Sequence, residues 1–331
     1  MKRYNAILSL SAVITCAWFA GCSKSKDAVT SPAGAGVVST ESSGPVEMKI
    51  KWVVGKRYAQ QMTMNQTAHM TIPGMDKPMD QAMTMAQDFN MSAMKELPGG
   101  GTELELKFTG QKVESKMGGK VMMSFDSAQD PQSDTNNPVA PLFRKMIGAH
   151  VVYDVDADGK VEKVVGMNEF LAQLSGGNPQ SEAMMKSMMS EDMIKQLAMR
   201  GQGLPEKPVK IGDHWPVHLE VNAGQVGMLI MDMKYTFKGW QQHGGSKCAL
   251  LESVGDIATK PGSSTNGPMN VSVESGKLAG STWYDPAQAM VVDSASDQNM
   301  TLNITAQGKS IKSQMKQQVS IKLVEVADIA K

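Results

Sequence analysis

The feature that most limits how this chain can fold is a two-residue alternation of apolar and polar side chains, repeated in run after run from Glu47 onward. Met48, Ile50 and Trp52 alternate with Lys49 and Lys51, Gln60 to Asn65 alternates again, and Leu104, Leu106 and Phe108 alternate with charged residues. In extended chain, successive side chains point to opposite faces, so each run predicts a strand with one buried and one solvated face. Pro73-Gly74, Pro98-Gly99, Gly118-Gly119 and Asp158-Gly159 separate the runs with turn-forming pairs. Met83-Thr84-Met85 repeats Met62-Thr63-Met64 and is expected to pair with it antiparallel. Strands of ordinary length follow, the later ones at 228–240, 247–254, 269–273, 278–284, 290–304 and 315–326.

Two stretches break the alternation. Glu169 to Leu174 and Ser181 to Met199 are predicted helices, and in the second Met184, Met185, Met188, Met189, Met193 and Leu197 recur at helical spacing on one apolar face. The fold class is therefore mainly β (α+β): about a dozen antiparallel strands in a curved or half-barrel-like sheet of two similar halves, with two helices between them. The halves are suggested by Val53-Val54-Gly55-Lys56-Arg57-Tyr58 and Val209-Lys210-Ile211-Gly212-Asp213-His214-Trp215, which share apolar residues, a glycine, polar residues and an aromatic. Boundaries are set at 47–204 and 205–331, with the join near Pro205 to Pro208.

Before the body lies an address. Lys2 and Arg3 precede an apolar run from Ala6 to about Trp18, too short for a permanent membrane helix and read as an export signal over residues 1–21. Its ending, Phe19-Ala20-Gly21-Cys22, resembles the lipobox of bacterial lipoproteins, which implies cleavage before Cys22 and acylation of its thiol. Ser23 after the cysteine resembles outer-membrane sorting in Gram-negative lipoproteins. Residues 22–46, rich in Ser, Ala, Gly and Pro, read as a lipidated flexible tether.

Charge excludes several partners. Loss of Lys2 and Arg3 tips a chain of 33 basic and 33 acidic residues slightly acidic, so no polybasic surface for nucleic acid follows. Membrane attachment is expected through the acyl chains alone. Of three cysteines, Cys16 leaves with the signal and Cys22 is acylated, so Cys248 stands alone and is read as a buried, inert thiol.

The motifs that carry chemistry are missing. There is no Gly-x-Ser-x-Gly elbow, phosphate-cradling loop or dinucleotide fingerprint. Asp154-x-Asp156-x-Asp158-Gly159 opens like a calcium loop but has Val165 where the bidentate glutamate belongs, so a hairpin turn is the reading. His214 and His218 flank Pro216 in strand-like surroundings and are too far apart to share a metal ion. No cofactor and no catalytic residue is assigned. Dispersed carboxylates leave open an envelope hydrolase without a recognisable motif.

Methionine is abundant, at 29 residues. Met62, Met64, Met83 and Met85 on paired strands could offer soft thioether ligands to Cu(I), although the spread of methionine over nearly every segment is also what its use in place of leucine produces. The opening at Gly55 to Tyr58, Ser124-Phe125-Asp126-Ser127, Ile147-Gly148, the hairpin at Gly159, and Pro208 to Trp215 together resemble a family of exported bacterial proteins of unknown function, over about residues 47–328. The architecture is similar to half-barrel carriers and lipid-binding lipoproteins of the bacterial envelope. The favoured reading is a lipid-anchored, non-catalytic envelope protein that binds a hydrophobic ligand or a partner protein, with the methionine face of 181–199 as candidate groove; Cu(I) binding is the alternative.

Overall fold

The computed structural model describes residues 44–72, 78–134, 137, 140–176, 194–195, 201, 203–223, 227–263, 269–306 and 309–329. Twelve antiparallel strands form one open sheet. The first six are β1 (Lys56–Thr71), β2 (Met79–Glu96), β3 (Thr102–Met117), β4 (Lys120–Asp126), β5 (His150–Val155) and β6 (Val161–Val165). The others are β7 (His214–Asn222), β8 (Met228–His243), β9 (Ser246–Thr259), β10 (Met269–Asp285), β11 (Met290–Ala306) and β12 (Lys309–Asp328). Of two short helices, α1 (Ala140–Met146) lies between β4 and β5, and α2 (Met167–Ser175) follows β6, before the second group.

The strand order is β6-β5-β3-β2-β1-β12-β11-β10-β9-β8-β7, with β4 beside the far end of β3. The first meander therefore starts at the middle of the sheet and walks to one edge, and the second starts at the opposite edge and walks back. Their meeting line is the β1–β12 ladder, from Lys56 opposite Asp328 to Thr71 opposite Lys312. The matched openings thus sit in different places: Val53 to Tyr58 leads into the central strand, and Val209 to Trp215 leads into the edge strand β7.

Alternation decides which face is buried. In β1 the even-numbered residues Tyr58, Gln60, Met62, Met64, Gln66, Ala68 and Met70 are buried, whereas Gln61, Asn65, Thr67 and His69 are exposed. In β12, Ile311, Ser313, Met315, Gln317, Val319 and Ile321 make the matching inner row. Twelve strands would span roughly 55 Å if flat. A single layer that buries one face so thoroughly has to curl around it.

The strands are longer than the ordinary length expected of them, reaching 16 residues in β1, 18 in β2 and 20 in β12. Breaks read from the sequence turn out to be irregularities inside continuous strands: 269–273 and 278–284 belong to one strand, β10, with a register shift between Val273 and Ser275. Bulges of this kind add twist without ending a ladder. Close backbone approach adds curl at Gly255, where an added Cβ would lie 2.3 Å from the Asp232 carbonyl oxygen.

Two clusters fill the ends of the inner face. One, under the first meander, gathers Phe89, Leu104, Leu106, Phe108 and Tyr153 against Phe170, Leu171 and Leu174 of α2. The other, under the second, gathers Met231, Phe237, Trp240, Leu251 and Tyr284. Residues 44–54 run across both. Met48 joins the second cluster, Trp52 the first, and Ile50 touches each. This stretch alternates as predicted yet forms no ladder, because its backbone groups go to other partners: Val46 exchanges two hydrogen bonds with Val209, Lys51 N–H donates to the Ala289 carbonyl at 2.9 Å, and the Tyr284 hydroxyl donates to the Lys49 carbonyl at 2.9 Å.

The predicted helix at 169–174 is α2. The helix predicted at 181–199 lies outside the described residues except at Ile194 and Lys195, which are helical, and Ile194 is buried in the first cluster. The segment from Leu142 to Ile147 is mostly α1. Its Phe143 packs on Phe125 at 5.1 Å between ring centroids, and Arg144 lies over the same ring at 5.0 Å. Arg144 also binds Asp134 at 2.8 Å and the Ser127 carbonyl at 2.7 Å, tying down the irregular loop after β4.

Candidate functional site in the sheet trough

Between the two aromatic clusters, the middle of the inner face has a different composition. One transverse row runs Val113, Met85, Met64, Val319 and Ser296 across β3, β2, β1, β12 and β11. The next runs Met83, Gln66, Gln317 and Gln298, and the one on the other side runs Gln111, Gln87, Met62 and Ile321. Methionine, glutamine and serine replace the phenylalanine, leucine and tyrosine found at either end. Met64 and Gln317 are 0% and 1% exposed.

Of the four methionines singled out in the sequence, the structure brings three together. Met64 faces Met85 directly, Met64 and Met83 form a small buried cluster with Val319, and the half-buried Met85 packs against it. Met62 faces Gln87 and belongs to the cluster under the first meander. The two Met-Thr-Met segments lie on paired antiparallel strands as expected, but offset by two residues, so that only Met64 and Met85 are directly opposed. Met184, Met185, Met188, Met189, Met193 and Cys22 lie outside the described residues.

The glutamines are what sequence reasoning passed over. Gln60, Gln66, Gln81, Gln87, Gln111, Gln298 and Gln317 are all buried on this face. A signal was available: in Gln60-x-Met62-x-Met64-x-Gln66 the amides fall at the same period as the methionines, so any register that buries one set buries the other. Their hydrogen bonding is poor. The Gln317 side-chain N–H donates to the Met64 thioether at 3.3 Å, and the side-chain oxygens of Gln60, Gln66 and Gln317 have no donor among the described residues. A buried amide oxygen without a donor costs about 1–3 kcal/mol.

Other candidates resolve into structural roles. Asp156 ends the β5–β6 hairpin by accepting from Asp158 N–H at 2.9 Å and Lys160 N–H at 2.8 Å, and Gly159 takes the positive φ that the turn requires. Cys248 is buried in β9. Burial, with Asp285 and Asp293 nearby, pushes its thiol up to about 11, so it holds its proton at neutral pH. The neighbouring His243 ring is engaged elsewhere, 2.9 Å from Asp293 and stacked on Trp283. Burial also raises the Tyr153 phenol, whose hydroxyl donates to the Ile194 carbonyl at 2.9 Å, and pushes Tyr235 up to about 12. Among the described residues, no three His, Cys, Asp or Glu converge as a metal site.

The outer face carries an open depression of about 700 Å³, bordered by His218, Asp232, Lys234, Val254, Asp256 and Lys277. Asp232 and Asp256 are directly opposed across β8 and β9. His218 bonds the first at 2.7 Å and Lys277 the second, which offsets their repulsion; the Asp232 hydrogen bond holds the His218 imidazole above its ordinary pKa. This is a solvent-exposed ladder of compensated charge.

Comparison with known proteins adds a family. The sequence profile of a family of unknown function, DUF6263, matches residues 99–291, more than half of the chain. The chain belongs to DUF6263. The match is narrower than the span of 47–328 expected from the sequence, and it begins in the turn before β3 and ends at the start of β11. The strands β1, β2 and β12 of this DUF6263 protein, which carry Met62, Met64, Gln66 and Gln317, therefore lie outside it. No curated protein matches. Among solved structures, lipovitellin is similar over 85% of this chain and 26% of its own, at 9% identity and a TM-score of 0.49. An exported protein with a YmcC-like fold from Bacteroides fragilis is similar over 85% of this chain and 99% of its own, at 13% identity and a TM-score of 0.28. DynF, from the dynemicin biosynthesis pathway of Micromonospora chersina, is similar over 89% and 91%, at 6% identity and a TM-score of 0.22. The chain spans about a quarter of the length of lipovitellin. Scores this low carry nothing about function.

Proposed function

We propose that this DUF6263 protein is a non-catalytic, lipid-anchored protein of the bacterial cell envelope that holds a hydrophobic ligand in the trough of its sheet. One observation carries the reading: the centre of the inner face is lined by Met62, Met64, Met83 and Met85, with buried glutamine between them, in place of the close aromatic packing at each end. Methionine is unbranched and polarisable, so it adapts to irregular apolar partners at little cost. Small-molecule sites combine such apolar walls with a few fixed polar groups.

The anchor in this proposal is Cys22, with residues 22 to about 43 as tether, since Val46 is already bonded to Val209 in the body, and with an outer-membrane address. As a flexible coil, the tether would set the body off the bilayer by roughly 25 to 30 Å. Acyl chains contribute about 0.8 kcal/mol per buried methylene, far more than a nearly neutral protein surface offers a membrane. Cys22→Ser is expected to release the protein from membranes and abolish labelling by palmitate, while the body folds unchanged. An equally membrane-bound Cys22→Ser protein would refute the anchor and leave the trough untouched. For the trough, native mass spectrometry of protein purified from membranes should show a lipid-sized adduct that organic extraction removes. No adduct, together with no binding of an apolar fluorophore by the extracted protein, leaves the ligand reading without support.

A second reading has one observation of its own, the convergence of Met64, Met83 and Met85 on adjacent strands. Three thioethers suit Cu(I). A Cu(I) titration would then saturate at a fixed stoichiometry and lose its endpoint when Met64, Met83 and Met85 are replaced by leucine; an unmodified protein with no endpoint excludes copper.

A further inference from the structure

The glutamine row narrows the ligand class. Gln66 on β1 and Gln317 on β12 face each other at the meeting line of the two meanders, and Gln298 on β11 follows in the same row. Gln60 lies on the same face of β1. Each of Gln60, Gln66 and Gln317 is more than nine-tenths buried, and each leaves its side-chain oxygen without a donor among the described residues. A primary amide can donate two hydrogens and accept two. At the β1–β12 line the unpartnered atoms are acceptors, the Gln66 and Gln317 oxygens, although the Gln81 side-chain nitrogen and the Ser296 hydroxyl further along the face also have no partner among the described residues. The Gln317 N–H spends itself on the Met64 thioether, a weak acceptor.

Charge narrows the class further. The buried polar residues described include no lysine, arginine or histidine, so among the described residues no buried cation would offset an anionic headgroup on the inner face. A phosphate or carboxylate placed there would meet amide oxygens and lose its hydration unpaired. A neutral group bearing hydroxyl hydrogens would satisfy those oxygens directly.

We propose that Gln66 and Gln317 form a polar recognition element in the trough for an uncharged acyl lipid whose polar part carries free hydroxyl groups. The inference rests on the trough reading above and adds the chemistry of the ligand. The hydroxyls donate to the amide oxygens at the β1–β12 line, and the acyl chain lies along Met62, Met64 and Met83. The amides are retained at a stability cost in the empty fold because the ligand removes that cost on binding.

The test uses the full chain and an apolar fluorophore displaced by three probes with the same oleoyl chain: monoolein with two hydroxyls, methyl oleate with none, and oleate as an anion. Two donated hydrogen bonds at about 1 kcal/mol each predict that monoolein displaces the fluorophore at a concentration at least about tenfold lower than methyl oleate, with oleate no better than the ester. In the double variant Gln66→Met, Gln317→Met the ratio of monoolein to methyl oleate should fall to about one, and the urea midpoint should hold or rise, since two uncompensated amides are gone. Equal displacement by monoolein and methyl oleate in the unmodified protein overturns the proposal while the trough stands. So does a double variant that loses stability or fails to fold, because the amides are then satisfied within the empty fold. Failure of all three probes to displace, or of the fluorophore to bind, sinks the trough itself and this inference with it.

Discussion

Asp285 keeps its charge at 1% exposure, in the turn between β10 and β11. Burial alone would raise its pKa, but hydrogen bonds from the Gln288 side chain, Ser246 and the backbone N–H groups of Ala287 and Gln288 outweigh it and hold the carboxyl below its ordinary value. Because the folded value lies below the unfolded one, the group stabilises the fold fully above the ordinary carboxylate range, and that contribution is lost as pH falls through the depressed value. Asp285→Asn is expected to lower stability at pH 7 by about 2 kcal/mol, with the gap to the unmodified protein closing at an acid pH below the depressed value. Urea titrations at both pH values check this, and a gap that persists in acid contradicts it. Single residues were unevenly legible from the sequence. Tyr284-Asp285-Pro286 announces a turn, and the lone Cys248 ahead of Ala249 and Leu250 announces an inert thiol. The glutamines announced nothing, because a polar residue at a buried position is visible only once register is known, and the register of Gln66 is set by Gln317, some 250 residues away.

At the scale of elements, the alternation identified nearly every strand and its buried face, and underestimated length. Glu274 to Lys277 reads as a break between strands, yet β10 passes through it with one register shift, since β11 continues the ladder through Ser275 and Gly276, which local composition does not reveal. The opposite failure is residues 44–54, which alternate like a strand and are none. Their inward side chains are held by the ends of both clusters while the backbone bonds to Val209, Ala289 and Tyr284. Trp52 is the anchor of this segment, packed edge-on against Tyr58 at 4.9 Å, and the Tyr58 hydroxyl accepts the Val53 N–H at 2.9 Å. Trp52→Ala should cost about 3 kcal/mol, read as a lower urea midpoint. A loss below about 1 kcal/mol would mean that the segment is only draped over the sheet.

For the whole molecule, the central β1–β12 ladder makes each meander depend on the other, because neither can satisfy its innermost strand alone. Unfolding in urea should therefore be a single transition, with tryptophan fluorescence, reporting Trp52 on one side and Trp215, Trp240 and Trp283 on the other, coinciding with the loss of strand signal in circular dichroism. Two separated transitions would show that the meanders fold apart. Closing that ladder brings Met62 to Ile321 across most of the chain, so refolding slower than about a second is expected in stopped-flow measurements. The same ladder fixes how the molecule would respond to tension. The start of β1 lies beside the end of β12, and the Ile329 N–H bonds the Gly55 carbonyl at 2.8 Å. Ladder bonds run perpendicular to antiparallel strands. A load applied to the two chain ends would thus enter at one end of the seam and part it rung by rung, as a zip opens, without having to shear the whole ladder at once. A body tethered from its N-terminal side and drawn by its C-terminus would open down the middle of its trough.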